Sequence, residues 1–329
     1  MFRNHRKSLA VSLTLAIGVL AVAAHRSVPA SVPAVLGSSP VFGEEFWKRW
    51  GDGKGEVSGY DLTFPRYGEL RKGVAVVVFV TETFSNSARV KSDPGKHPKS
   101  DEFPVMKLNL VQDFSTGIYD YNLMTSAFVA LAPVNGRPPG SATKVSFSSQ
   151  EWCGDTYGQL LFDAGLARLS THSYFDGEAD QSRELSVPAG ALAGDALLLW
   201  ARGFAAPILA AGERREVSLV KSIRTARLNH RPIELEKAIL SREAAPSRIT
   251  VPAGIFEVNR RSVEIAGGPT WKISVETAEP HRLVEWETSA GEKASLLAGE
   301  RLEYWRLHSE KDRGALARLG LQPRPPRTP

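Results

Sequence analysis

The chain has 329 residues, 42% of them hydrophobic, a formal charge of +5 and a single cysteine, Cys153. One cysteine closes no intramolecular bridge, so packing alone must hold the fold. Lys and Arg are interspersed with Asp and Glu, which excludes the basic stripe that a nucleic-acid backbone requires.

Arg3, Arg6 and Lys7 precede an uncharged run from Ser8 to Ala24 that ends in Ala21-Val22-Ala23-Ala24, small residues of the kind a signal peptidase cuts after. Residues 1–24 therefore read as a signal peptide or, since the run approaches the ~20 residues that span a bilayer, as an uncleaved N-terminal anchor. The expected location is the periplasm or cell envelope, with membrane contact only through that segment. Residues 1–24 hold three basic residues and no acid, so without them the charge falls from +5 to +2. Residues 25–42 carry three prolines without charge periodicity, as an extended linker does.

Phe46, Trp47 and Trp50 fall at helical spacing before Gly51 and Gly53, which predicts a short helix. Strand patterns follow. The run Val-Ala-Val-Val-Val-Phe-Val-Thr within 73–84 predicts a central strand buried on both faces. Further strands are expected at 105–114, 117–131, 142–153, 159–175 and 216–228, with Gly, Pro, Asn and Asp clusters between them. Leu192, Ala196, Leu199 and Trp200 predict a helix over 189–203. Strand patterns then resume at 247–258, 262–266, 270–277, 282–288 and 292–307, where Gly267-Gly268 and Ser289-Ala290-Gly291 mark hairpin turns. The pattern is mainly β, an antiparallel meander with a few short helices. It suggests one β-rich domain over 43–230, a second over 231–320, and a disordered tail over 321–329.

No motif assigns a reaction. The seven histidines are dispersed without metal-ligand spacing, and Gly51-Asp52-Gly53-Lys54 lacks the strand and the Gly-Lys-Ser/Thr of a phosphate loop; neither a metal nor a cofactor is expected. Cys153 with His172 could form a thiol–imidazole pair, but a lone Cys closing an apolar strand reads first as a buried hydrophobe. Glu151 with Asp120 or Asp180 could form the carboxylate pair of an exported hydrolase of cell-wall or glycan material. Lys107, Asn109, Tyr119, Tyr121, Gln150, Glu151 and Trp152 place polar and aromatic groups on neighbouring strands. They fit a binding groove with Tyr119, Tyr121 and Trp152 as stacking surfaces, although such residues more often mark the solvent-facing positions of an open sheet. Trp271, Trp286 and Trp305 read as core.

Tyr67-Gly68-Glu69-Leu70-Arg71, Phe79-Val80-Thr81-Glu82, Thr116-Gly117-Ile118-Tyr119 and Gln150-Glu151-Trp152-Cys153-Gly154 resemble a family of exported bacterial proteins and lipoproteins. Val251-Pro252-Ala253-Gly254-Ile255-Phe256-Glu257-Val258, followed by Glu279 to Val284, resembles the domain-of-unknown-function 3108 group. That resemblance implies a half-barrel or open barrel at the envelope and no established reaction. Some members carry the label septum-formation inhibitor of the Maf type, whose Ser-x-Ser-x-Arg-Arg motif this chain lacks. The leading expectation is a non-enzymatic envelope protein whose curved sheet binds an apolar, lipid-like or amphipathic ligand or an envelope partner; a hydrolase and a structural or assembly factor are the alternatives.

Overall fold

The structure, a computed structural model, describes residues 38–323. The expected signal segment, the linker up to residue 37 and the tail from 324 lie outside the described residues. Within them the predicted short helix is α1 (Glu44–Trp50), with Glu44 and Glu45 in its first turn and Lys48 and Arg49 in its last, each matching the helix dipole. Trp50 anchors it, buried edge-on against Phe204 at 5.3 Å.

The remaining architecture is a single 16-stranded sheet, antiparallel except where β9 (Leu192–Ala193) runs parallel to β10 (Arg214–Val220). From β1 (Gly55–Arg66) a meander passes through β2 (Glu69–Ser85), β3 (Glu102–Thr116), β4 (Tyr119–Ala130), β5 (Ala142–Glu151), β6 (Gly154–Asp163) and β7 (Leu166–Ser173) to the edge strand β8 (Gln181–Ser186). The other side of β1 pairs with the last strand, β16 (Lys293–Leu302). From there the order continues through β15 (Leu283–Thr288), β14 (Thr270–Glu276), β13 (Gly254–Ile265) and β11 (Leu235–Arg242) to β10, with β12 (Ser247–Val251) paired to β13 alone. The boundary expected near residue 230 falls inside this sheet, because the first and last strands pair at its centre and β10 pairs with β11 across the boundary.

The central strand is buried on both faces, as its sequence predicts. Ala75, Val77 and Phe79 of β2 face the main core, while Val78 and Val80 pack with Leu302, Leu319 and Leu321 under a 3₁₀ segment, Glu310–Leu319, on the back of the sheet. Gly59 permits that cover: a Cβ there would lie 2.3 Å from the Leu319 carbonyl oxygen.

The segment expected as a helix over 189–203 becomes β9, a 3₁₀ turn and the short α2 (Leu197–Ala201), because Gly194 packs so tightly on the end of β10 and the residues after it that a Cβ would meet Val220 O at 3.0 Å and Ser222 N at 2.8 Å. Every residue of α2 is buried, which accounts for its lack of a polar face. It touches β14, the turn before it touches β4 and β5, and β9 touches β5. Strands so far apart in the sheet order meet one plug only if the sheet curls around it. The result is an open half-barrel with a filled interior.

Other differences have local causes. The strand expected over 159–175 is the hairpin β6–β7, turning at Gly165 with φ +77°. The strand expected over 216–228 stops at Val220, where Ser222 caps α3 (Ile223–Leu228) by accepting from Thr225 N at 3.2 Å. Pro252 turns the chain between β12 and β13. Strands β1, β8 and β11 are missing from the sequence reading. Trp271 and Trp286 are core, as expected; Trp305 is exposed on a 3₁₀ turn, contrary to expectation.

Candidate functional site

In a meander alternate turns share one end of the sheet. At one such end the β1–β2, β13–β14 and β15–β16 turns, with α3, enclose a cleft of about 910 Å³. Tyr67 and Gly68, both in left-handed conformation at φ 55° and 75°, make the β1–β2 turn tight enough to aim Arg66 and Tyr67 at it. Phe64, Leu197, Leu219 and Trp271 supply its buried apolar lining, and Leu228 and Ile265 extend that surface toward solvent.

The charged lining falls into three groups. In the first, the Arg224 guanidinium lies 5.4 Å from the Trp271 ring and donates to Gln112 Oε1 (2.7 Å) and Glu292 Oε1 (3.1 Å). Glu292 Oε1 also accepts from Gln112 Nε2 and Trp286 Nε1, each at 2.9 Å. This buried network is closed on itself. In the second, Lys221 pairs with Glu234 (2.7 Å) and Glu236 (3.1 Å). Burial opposes its charge, but those two carboxylates outweigh burial and hold its pKa above the ordinary value.

The third group begins at Arg66, which donates to the Leu228 carbonyl (3.0 Å), so capping the end of α3, and to Tyr121 Oη (3.1 Å). The Tyr67 and Tyr121 hydroxyls lie 2.6 Å apart. Burial works against the Arg66 charge, yet the hydrogen bond to Tyr121 and the contact with Tyr67 keep its pKa raised. Burial first, then Glu151 and Tyr67, push the Tyr121 phenol upward. Behind it Arg227 donates to Thr156 Oγ1 (2.9 Å) and Glu151 Oε1 (3.4 Å), and stacks 3.7 Å from the Phe175 ring; burial lowers its pKa. Thus Arg66 meets the cleft with neutral hydroxyl and carbonyl partners, and Arg231 lines the cleft from an exposed position.

The residues expected to form a groove divide between the two faces of the sheet. Tyr119, Tyr121 and Glu151 lie on the plug-facing side, Tyr121 and Glu151 in the network just described, with Tyr119 stacked on the exposed Trp152 at 6.1 Å. Lys107 and Asn109 lie on the opposite face with Val78 and Val80, where Lys107 pairs with Glu82 (3.1 Å) and Asn109 Oδ1 accepts from Ser126 Oγ (2.7 Å). Gln150 is exposed, alternating away from Glu151. One surface therefore cannot use all seven. Glu151 is paired with Arg227, Asp120 alternates to the other face of β4 and accepts from Ser115, and Asp180 meets His172 at 3.0 Å. Cys153 is exposed, contrary to expectation, because the strand ends at Glu151 and Trp152-Cys153 form the turn to β6. Among the described residues no three of His, Cys, Asp and Glu converge as a metal site requires, and no helix is long and apolar enough to cross a membrane.

Arg66, Gln112, Arg224 and Glu292 are absent from the sequence reading. Gly267-Gly268 and Ser289-Ala290-Gly291, both read as turns, were the available signal, since they frame the cleft.

Comparison with known proteins leaves the family open. No family model matches the chain, and no curated protein matches it. Neither the resemblance to the 3108 group nor the Maf-type label is supported. Among solved structures the chain is similar to the crystal structure of a beta-barrel-like protein of domain of unknown function DUF1849 from Brucella abortus, at 9% identity and a TM-score of 0.43, over 76% of this chain and 98% of that one.

Proposed function

We propose that this is an exported envelope protein that binds a small amphipathic molecule in the cleft at the open end of its curled sheet. The observation that carries the reading is the cleft itself: about 910 Å³, within the ~300–1,000 Å³ typical of ligand sites, with an apolar surface of Phe64, Leu219, Leu228, Ile265 and Trp271 beside Arg66 and Arg231. The plug occupies the interior, so a ligand belongs at the mouth. An acyl or aryl part would lie on Trp271 and Ile265, and an acidic group would face Arg66 and Arg231. Export is supported by the Arg3–Ala24 pattern alone.

The probe is 1-anilinonaphthalene-8-sulfonate, an amphipathic anion. Fluorescence titration should saturate at one molecule per chain for the wild type and fail for Ala290→Trp, which puts an indole into the cleft from an exposed turn. Equal binding by a correctly folded Ala290→Trp variant would refute the site. Native mass spectrometry of protein purified from its own envelope would then identify the retained ligand.

A further inference from the structure

We infer a second binding site, at the other end of the sheet, where Arg137 takes two oxygens of one carboxylate, phosphate or sulfate group. The β2–β3 and β4–β5 connections and the β6–β7 turn meet at that end, opposite the cleft. Arg137, only 6% exposed, stands in the β4–β5 connection, where its Nη1 donates to the Ala142 carbonyl at 2.7 Å. That bond fixes the guanidinium plane. Its Nε and Nη2, which together form one edge of the group, are buried without a protein partner. Such an edge presents two parallel N–H bonds, the fork that matches two oxygens of a single anion.

The charge around it points the same way. Asp163 is the carboxylate that acts on Arg137, and it is already held by Arg89 and by Arg168 at 3.0 Å. Lys144 adds a further cation, donating to the Arg89 carbonyl at 3.1 Å. Burial pushes Arg137 down to about 10, with Arg89 adding repulsion that Asp163 only partly offsets. Glu151 and Arg227 also carry buried atoms without protein partners, but those two charges neutralise each other, and water suffices there. A buried guanidinium whose nearest carboxylate is already shared by two other arginines is costly, and a bound anion supplies both further negative charge and the two acceptors.

The test is thermal unfolding of the full chain at fixed ionic strength, replacing chloride stepwise by phosphate, sulfate or acetate. In the wild type each oxyanion should raise Tm saturably in the submillimolar to millimolar range, beyond chloride, a single atom that cannot span the two N–H groups of the fork. Arg137→Met should abolish the saturable part, and Arg137→Lys, which keeps charge but loses the fork, should weaken the apparent affinity at least tenfold. An identical response to chloride and oxyanions, or an equal rise in Arg137→Met, would mean water alone or the general effect of excluded salts, and would overturn the site. Should Arg137→Met fail to fold, wild-type affinity in Arg137→Lys would overturn it as well. Short-chain phosphatidic acid titrated against inorganic phosphate separates a lipid headgroup from a free anion, the tighter of the two naming the source.

Discussion

At the start of the buried segment that plugs the sheet, Asp195 accepts from Ser222 Oγ at 2.5 Å and from Ile223 N at 2.8 Å; just beyond its end, Glu56 of β1 accepts from Arg202 Nη1 at 2.5 Å and from Arg49 at 3.2 Å. Both carboxylates are buried. Burial raises Asp195, and its neutral donors do not reverse that; burial also opposes ionised Glu56, but the Arg202 and Arg49 charges overcome it and leave the pKa lowered. Hydrogen bonds satisfy a buried carboxylate, but here only the directly paired guanidiniums offset its desolvation. The plug is therefore fastened by an ionic clamp at one end and, at the other, by a hydrogen-bonded carboxylate whose burial raises its pKa.

The largest effect expected from breaking this contrast is at the clamp. Arg202→Met leaves Glu56 short of its main counter-charge and should cost about 3–5 kcal/mol in urea unfolding. Glu56→Leu combined with Arg202→Met should recover most of that loss, since a matched apolar pair avoids the desolvation of both ions. If the single and double variants are equally unstable, the clamp acts through packing of Arg202 on Phe79, 4.7 Å away, and not through charge.

The two carboxylates should also give stability a pH dependence of opposite sign. A lowered folded pKa at Glu56 contributes stability above the unfolded Glu value of about 4.3, lost as pH falls through the folded value. A raised folded pKa at Asp195 has the reverse sign: the folded state holds the proton more tightly, so stability declines as pH rises from the unfolded Asp value of about 3.9 through the folded one. Glu56→Gln should flatten the acid arm of the stability profile, and Asp195→Asn the arm above it. At low pH Asp195→Asn should cost about 1–2 kcal/mol for an imperfectly matched amide, a deficit that shrinks as pH rises. A constant deficit at every pH would show that Asp195 titrates alike in folded and unfolded chains.

The sequence made the scaffold legible because strand patterning is local. β-Branched runs and turn residues exposed most of the meander, and the double burial of β2 followed from apolar residues on both of its faces. The plug was partly legible: the apolar residues of 192–200 showed burial, but the tight approach at Gly194, a tertiary fact, decided how little of it is helix. The cleft was nearly illegible. Gln112 and Glu292 lie 180 residues apart and meet only when β1 joins β16, and a strand carrying Gln112 looks the same whether it faces solvent or Arg224. Tyr121 and Glu151 stand out in the sequence as aromatic and charged residues near turns, and Lys107 and Asn109 join the same group there although strand alternation turns them to the far face.

Ser222 gives the finest probe of the comparison because its hydroxyl serves both Asp195 and α3, donating to the carboxylate and accepting from Thr225 N. Ser222→Ala should cost about 1 kcal/mol as a lost helix cap. It should also remove the side-chain hydrogen bond that holds Asp195 down, so the Asp195 pKa moves further up and the decline of stability with rising pH extends to higher pH than in the wild type. A loss of similar size whose pH profile runs parallel to the wild type's would assign the whole effect to the cap and leave Ile223 N as the bond that sets the Asp195 pKa. Because Ser222, Arg224 and Thr225 also line the cleft, the same variant should weaken 1-anilinonaphthalene-8-sulfonate binding slightly while leaving the oxyanion response of Arg137 unchanged, which separates the two ends of the molecule in one protein.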